Sequence, residues 1–309
     1  MAPFHDSHGR TFIRHPNGQT THYIATDFTD PWKPHSTILI QPGFARHANF
    51  WHHWIPPLSP HHRIIRRDLR GHGHSSVPSP PYPYTLATIL AEIVDTLDQL
   101  GLPAVHFLGE STSGMLALAL AARHPARLLS VTLCATPTHL PPRAQEMLAF
   151  GAESWPAALR EFGARGWAER LALLPGTVVA PGSAGEGGGG EGDEGYVEWW
   201  KDEIGGQSAE GLAGYAGFLA GLDARGVVDD GEVARGGVPV LVLAPARSAA
   251  VSVGEARWLA ERVPRARVVV VEGRGHEIYT EKAEECQKAF LEFLEDVEAG
   301  RVKAEAAGE

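Results

Sequence analysis

The chain has 309 residues, 43% of them hydrophobic, and carries a formal net charge of −10 at neutral pH. Its length and apolar content suffice for one large core with an insertion, while its acidic balance argues against nucleic acid and anionic lipid as partners. No apolar run approaches the ~20 residues of a bilayer span, and Met1-Ala2-Pro3-Phe4-His5-Asp6 lacks the charged start and apolar core of a signal peptide, so a soluble cytoplasmic protein is expected.

Residues 10–14 and 21–25 flank Pro16-Asn17-Gly18, a hairpin signal, so antiparallel strands are expected to open the sheet. Strands follow at 36–40 and 63–67, separated by an aromatic, helix-like stretch at 49–58. Over 85–100 the residues Leu86, Ile89, Leu90, Ile93, Val94, Leu97 and Leu100 share one helical face, and Gly101 and Pro103 end it. Residues 104–108 read as a buried strand and 115–124 as an Ala/Leu helix. Further strands are predicted at 128–133, 238–244 and 267–271, a helix at 254–263, and a closing helix around Ala283, Cys286, Phe290, Phe293, Leu294 and Val297. Strands this continuously apolar, alternating with helices, predict an α/β fold: a mostly parallel sheet with helices on both faces and ligands at the carboxyl ends of the strands.

The alternation breaks between the strands at 128–133 and 238–244. The expected organisation is therefore a core of 1–137 and 238–309 with a helical cap at 138–237. Within the cap, 181–195 is a Gly-rich acidic run with too little apolar surface to order itself. Trp155, Trp199, Trp200 and Tyr215 are candidates to line a substrate pocket beneath this cap. Cys134 and Cys286, the only cysteines, fall on a predicted strand and on an apolar helix face, where they fill core space. The 16 histidines include His52-His53, His61-His62 and His72-x-His74, but none sits in a metal-binding frame, so neither metal nor cofactor is expected.

Chemistry concentrates at Gly109-Glu110-Ser111-Thr112-Ser113. Small residues two positions either side of Ser111, between a strand and a helix, permit the strained turn that lifts a hydroxyl into a cleft. The same turn leaves the Thr112 amide free to bind an oxyanion. Gln41-Pro42-Gly43-Phe44-Ala45 leaves the preceding central strand in a turn that offers the Phe44 amide as a second donor; such donors are worth about 3 kcal/mol each. His276, in Gly273-Arg274-Gly275-His276 after the last strand, is the candidate general base.

With these segments on the page, the chain resembles the α/β-hydrolase superfamily, in the group of 3-oxoadipate enol-lactonase-like enzymes and fungal lactonases of the zearalenone-hydrolase type. The resemblance rests on the serine segment, on Asp68-Leu69-Arg70-Gly71-His72-Gly73-His74-Ser75, which matches the family's Asp-x-Arg-Gly-x-Gly-x-Ser turn, and on the Gly-bracketed His276. It implies a Ser111 nucleophile, a His276 base, an acyl-enzyme intermediate and no cofactor.

Departures from the family pattern bear on the third triad member. Pro42-Gly43 stands where many relatives carry His-Gly. The usual acid position reads Ser248, and the alternative one reads Ala135, where lactonases of the zearalenone type would show a glutamate. Glu110, expected to point away from the site, and Asp223, Glu255 and Glu272 are the substitutes within reach in sequence. A hydroxyl at Ser248 would orient the imidazole by accepting its N–H, without a carboxylate's stabilisation of an imidazolium. The reading is a serine hydrolase of an apolar carboxylic ester or lactone, a small-molecule partner. Hydrolysis of a C–C bond in a β-diketone-like substrate and a non-catalytic ligand-binding homologue remain the alternatives.

Overall fold

The structure, a computed structural model, describes residues 2–79, 81–178 and 193–302. Nine strands form one sheet: β1 (Phe4–His5), β2 (Thr11–Arg14), β3 (Thr20–Thr26), β4 (Thr37–Gln41), β5 (Arg63–Arg67), β6 (Val105–Glu110), β7 (Leu128–Cys134), β8 (Val240–Pro245) and β9 (Ala266–Val271). Their order is β1-β2-β3-β5-β4-β6-β7-β8-β9. β1 to β3 pair antiparallel, β3 pairs antiparallel with β5, and all other pairs are parallel. The chain reverses its direction of travel across the sheet at β4. Crevices open at such a reversal because the loops on either side diverge. In the register of β4 and β6, Gln41 lies beside Gly109, so the turns after both strands start at the same height.

Local sequence accounts for the flanking helices. Thr85 caps α1 (Leu86–Gln99) by accepting a hydrogen bond from the Thr88 amide at 3.2 Å. Its buried face carries Ile89, Leu90, Ile93 and Leu97, each contributing ~1.5–3 kcal/mol when fully removed from water. α2 (Thr112–Arg123) is buried along nearly its whole length, which its Ala/Leu composition permits. α7 (Val253–Arg262) and α8 (Ala283–Glu298) complete the covering layers. Cys134 and Cys286 are both buried free thiols.

Between β7 and β8 lie α3 (Pro142–Ala149), α4 (Trp155–Ala172), α5 (Asp193–Gly205) and α6 (Ala209–Ala220). The Gly-rich run read over 181–195 falls, up to residue 192, outside the described residues. This helical segment is fastened to the Asp68–Ser75 turn and the β4 turn. Gln207 donates to the Ala45 carbonyl at 2.8 Å and accepts from the Gly73 amide at 2.9 Å. At Gly71, φ is 75°, and a Cβ would sit 2.7 Å from the Gly211 carbonyl oxygen of α6, so glycine is required there twice over. Among the described residues no helix is long and apolar enough to cross a membrane.

Candidate active site

Ser111 sits between β6 and α2 with φ 51° and ψ −124°, a conformation that a non-glycine residue adopts only under strain. Close packing enforces it. A Cβ on Gly109 would meet the Ser113 carbonyl oxygen at 2.8 Å, and one on Gly43 would lie 2.9 Å from Ser111 Cβ. Ser113 is more than a small residue here, since its hydroxyl donates to the Pro42 carbonyl at 2.6 Å and ties the elbow to the β4 turn.

His276 reaches this elbow from the loop after β9. Its Nε2 lies 2.8 Å from Ser111 Oγ, and its Nδ1 lies 3.1 Å from Ser248 Oγ on the loop after β8. Among the described residues no carboxylate forms a hydrogen bond or ion pair with His276. Burial, and then the charge of Arg46, pull its pKa down from 6.5 to about 4. The imidazole is therefore neutral near pH 7.

The other carboxylates singled out in the sequence are engaged elsewhere. Asp223 pairs with Arg225 at the surface. Glu255 accepts from the Thr138 amide at 2.7 Å and from the Thr138 hydroxyl. Glu272 is exposed. Ala135 is buried with φ 49°, at the end of β7. Glu110, expected to point away from the site, is instead among the residues lining the cavity above Ser111, and its Oε2 accepts from the Gly43 amide of the β4 turn at 2.5 Å. Burial raises its pKa from 4.5 to about 7, against the opposing pull of Arg46 and with a further push from Glu277.

Arg46 and Glu277 are two residues the sequence reading missed. They form a buried ion pair, with Arg46 Nε donating to Glu277 Oε1 at 2.6 Å. Trp200 Nε1 donates to the same carboxylate at 2.8 Å and the Tyr196 hydroxyl at 3.2 Å. Arg46 lines the cavity, but its charge is already matched by Glu277. An ion pair kept out of water in this way needs those extra donors to offset its desolvation.

The cavity over Ser111 measures about 90 Å³. Its polar edge is Arg46, Glu110, Ser111, Thr112, Thr177 and His276; the cap contributes Leu140, Met147, Leu148, Trp155, Trp167 and Leu171. Trp155 thus falls where the sequence places it. Trp199, Trp200 and Tyr215 do not line the cavity: Trp199 packs on Phe50 and His52, Trp200 serves Glu277, and Tyr215 lies against His72 and Tyr84. Trp167 takes a lining place instead, beyond the kink that α4 makes at Gly163 (φ 69°). The two proposed oxyanion donors lie close together, the Phe44 amide donating to Thr112 Oγ1 at 3.2 Å. The Thr112 amide opens α2, where first-turn amides have no helical acceptor. No group of His, Cys, Asp or Glu side chains among the described residues is arranged to hold a metal ion.

Comparison with known proteins agrees with this architecture. Residues 36–174 match the family described as alpha/beta hydrolase fold, and residues 223–304 match one described as TAP-like protein. The chain has the α/β-hydrolase fold and is similar to that superfamily. Within it the likeness runs to enol-lactonases. A 3-oxoadipate enol-lactonase 2 from Acinetobacter baylyi is 25% identical over 241 residues, covering 76% of this chain and 80% of the relative. The crystal structure of the enol-lactonase from Burkholderia xenovorans LB400 superposes with a TM-score of 0.77 at 25% identity, over 92% of this chain and 99% of that one. Epoxide hydrolase 4 of Mus musculus is 30% identical over 115 residues, 37% of this chain and 31% of the relative. The chain spans about a third of the length of the first curated relatives it matches.

Proposed function

We propose that this protein hydrolyses an apolar carboxylic ester or lactone through an acyl-enzyme on Ser111. The observation that carries the reading is the 2.8 Å contact between Ser111 Oγ and His276 Nε2, made at a strained elbow that faces a mostly apolar cavity. Ser111 Oγ adds to the acyl carbon and its proton passes to Nε2. The negative charge that develops on the acyl oxygen is bound by the amides of Phe44 and Thr112, after the Thr112 hydroxyl gives up the Phe44 N–H. His276 returns the proton to the departing oxygen, and water, deprotonated by the same nitrogen, releases the acyl group.

The substrate class follows from the lining. Among the described residues that line the cavity Arg46 is the one cation, and Glu277 neutralises it, so an anionic substrate group finds no unmatched positive charge among them. Apolar acyl or ring atoms gain instead from burial against Leu148, Trp155 and Trp167. The enol-lactonase likeness supports lactone or ester chemistry in general, and the chain's own lining favours apolar over charged members of that class.

Two measurements test the proposal together. A fluorophosphonate probe is expected to label wild type and not Ser111→Ala. p-Nitrophenyl esters of rising chain length, beside a macrocyclic and a small lactone, are expected to give the highest kcat/KM for apolar acyl groups. Retained turnover in Ser111→Ala, or a preference for acetate or an anionic enol-lactone over every apolar substrate, would sink it.

A further inference from the structure

The hydrogen bonds around Ser248 decide where the proton of His276 resides. A serine hydroxyl has one O–H to donate and two lone pairs to accept with. Ser248 Oγ already accepts from two backbone amides, Ala250 at 3.1 Å and Val251 at 3.3 Å. Its third neighbour is His276 Nδ1, at 3.1 Å. With both lone pairs occupied, the O–H is the only capacity left, so it points at Nδ1. An imidazole nitrogen that accepts a hydrogen bond carries no proton. In a neutral ring the proton then sits on Nε2, which donates it to Ser111 Oγ at 2.8 Å.

We infer that Ser248 holds His276 in the Nε2–H tautomer, so that the resting site is poised with its base turned off. This deepens the hydrolase reading and rests on it only where turnover is the readout. Base catalysis on Ser111 needs Nε2 vacant and Nδ1 protonated. Reaching that state from rest means losing the Nε2 proton to water, taking one from water at Nδ1, and turning the Ser248 O–H away while its oxygen accepts from Nδ1–H in place of one amide. No proton is gained or lost overall. Each turnover begins from the wrong side of this rearrangement. In serine-protease triads a histidine in the wrong tautomer costs about 10⁴ in kcat. Ser248 is thus a positioning residue whose effect is to hold the rate down. A carboxylate at the same place, which has acceptor capacity for both amides and for Nδ1–H, reverses the preference.

The decisive measurement is the tautomer itself, read without any substrate. In ¹⁵N-histidine-labelled wild type near pH 7, the ring assigned to residue 276 by its loss in His276→Gln is expected to show an unprotonated Nδ1 and a protonated Nε2. Ser248→Asp is expected to invert the two and to raise kcat at least about tenfold toward the triad level. A protonated Nδ1 in wild type overturns the inference, whether or not an ester substrate is ever found. A Ser248→Asp variant that folds, shows the inverted ring and yet gains no turnover overturns the rate-limiting role. If that variant does not fold, the wild-type spectrum alone decides. Absence of any esterase or lactonase activity in both proteins would count against the hydrolase reading and leave the tautomer result standing.

Discussion

Two histidines in this molecule, one on a strand and one on a loop of the same sheet, differ in one partner. His22, on β3, places Nδ1 2.7 Å from Asp68 Oδ2, with both groups buried. His276 places Nδ1 3.1 Å from a hydroxyl. Asp68 also accepts from the amides of Ala48 at 2.8 Å and His74 at 3.0 Å, so its charge organises the turn on which the cap rests. The chain can pair an imidazole with a carboxylate, and it does so where the result is architecture. At the elbow the imidazole has no such partner among the described residues. The contrast teaches that a His–carboxylate pair read from a structure marks rigidity as readily as catalysis, and that the elbow histidine is set apart by what its other ring nitrogen faces, the Ser111 hydroxyl.

The largest effect that sharpens this contrast is loss of the elbow pair. His276→Ala and Ser111→Ala are each expected to lower kcat/KM by ~10⁴ or more while leaving thermal stability close to wild type, checked by ester kinetics and calorimetry. Asp68→Asn reverses the pattern. Removing one partner of a buried pair is expected to cost about 3–5 kcal/mol of stability, with kcat per folded molecule little changed. Urea unfolding measures it, and a small shift in midpoint alongside a collapsed kcat would erase the distinction between the two sites.

A smaller effect comes from Glu110. A carboxyl whose folded pKa is raised contributes stability that is complete below pH 4.5 and is lost as pH rises through about 7. Glu110→Gln removes that dependence, so the variant's stability relative to wild type is expected to climb across this window by up to about 3 kcal/mol. Parallel wild-type and variant Tm curves between pH 4.5 and 7 would contradict it. The smallest effect is on the pH–rate profile. His276, depressed to about 4, stays unprotonated well below pH 6.5, so the acid limb of kcat/KM is expected near pH 4. A limb at 6.5 would mean that the ring is better solvated or better paired than its surroundings indicate.

Much of the frame was legible because it is local. The spacing Gly109 to Ser113, the Asp68–Ser75 turn and the Gly-bracketed His276 each occupy fewer than about ten consecutive residues and encode their own backbone geometry. The strands at 36–40, 63–67 and 104–108 ended within two residues of the observed β4, β5 and β6. β1 escaped notice, since a two-residue pairing has no periodicity to detect. The charged wall of the site was not legible. Arg46 and Glu277 sit on loops and Glu110 ends β6, far apart in sequence, and only the folded sheet brings them together. The tryptophans failed for a different reason: adjacent helical residues point about 100° apart, so Trp199 and Trp200 cannot share a wall, and the glycine kink before Trp167 shows no apolar pattern of its own.

One contact joins the segment between β7 and β8 to both loops of the site. The carbonyls of Gly176 and Thr177, consecutive residues beyond α4, accept hydrogen bonds from the amides of Ala249 at 3.2 Å and His276 at 3.0 Å. These two amides belong to the loops that carry Ser248 and His276. Two successive carbonyls thus brace, from one side, the two loops whose side chains meet at His276 Nδ1.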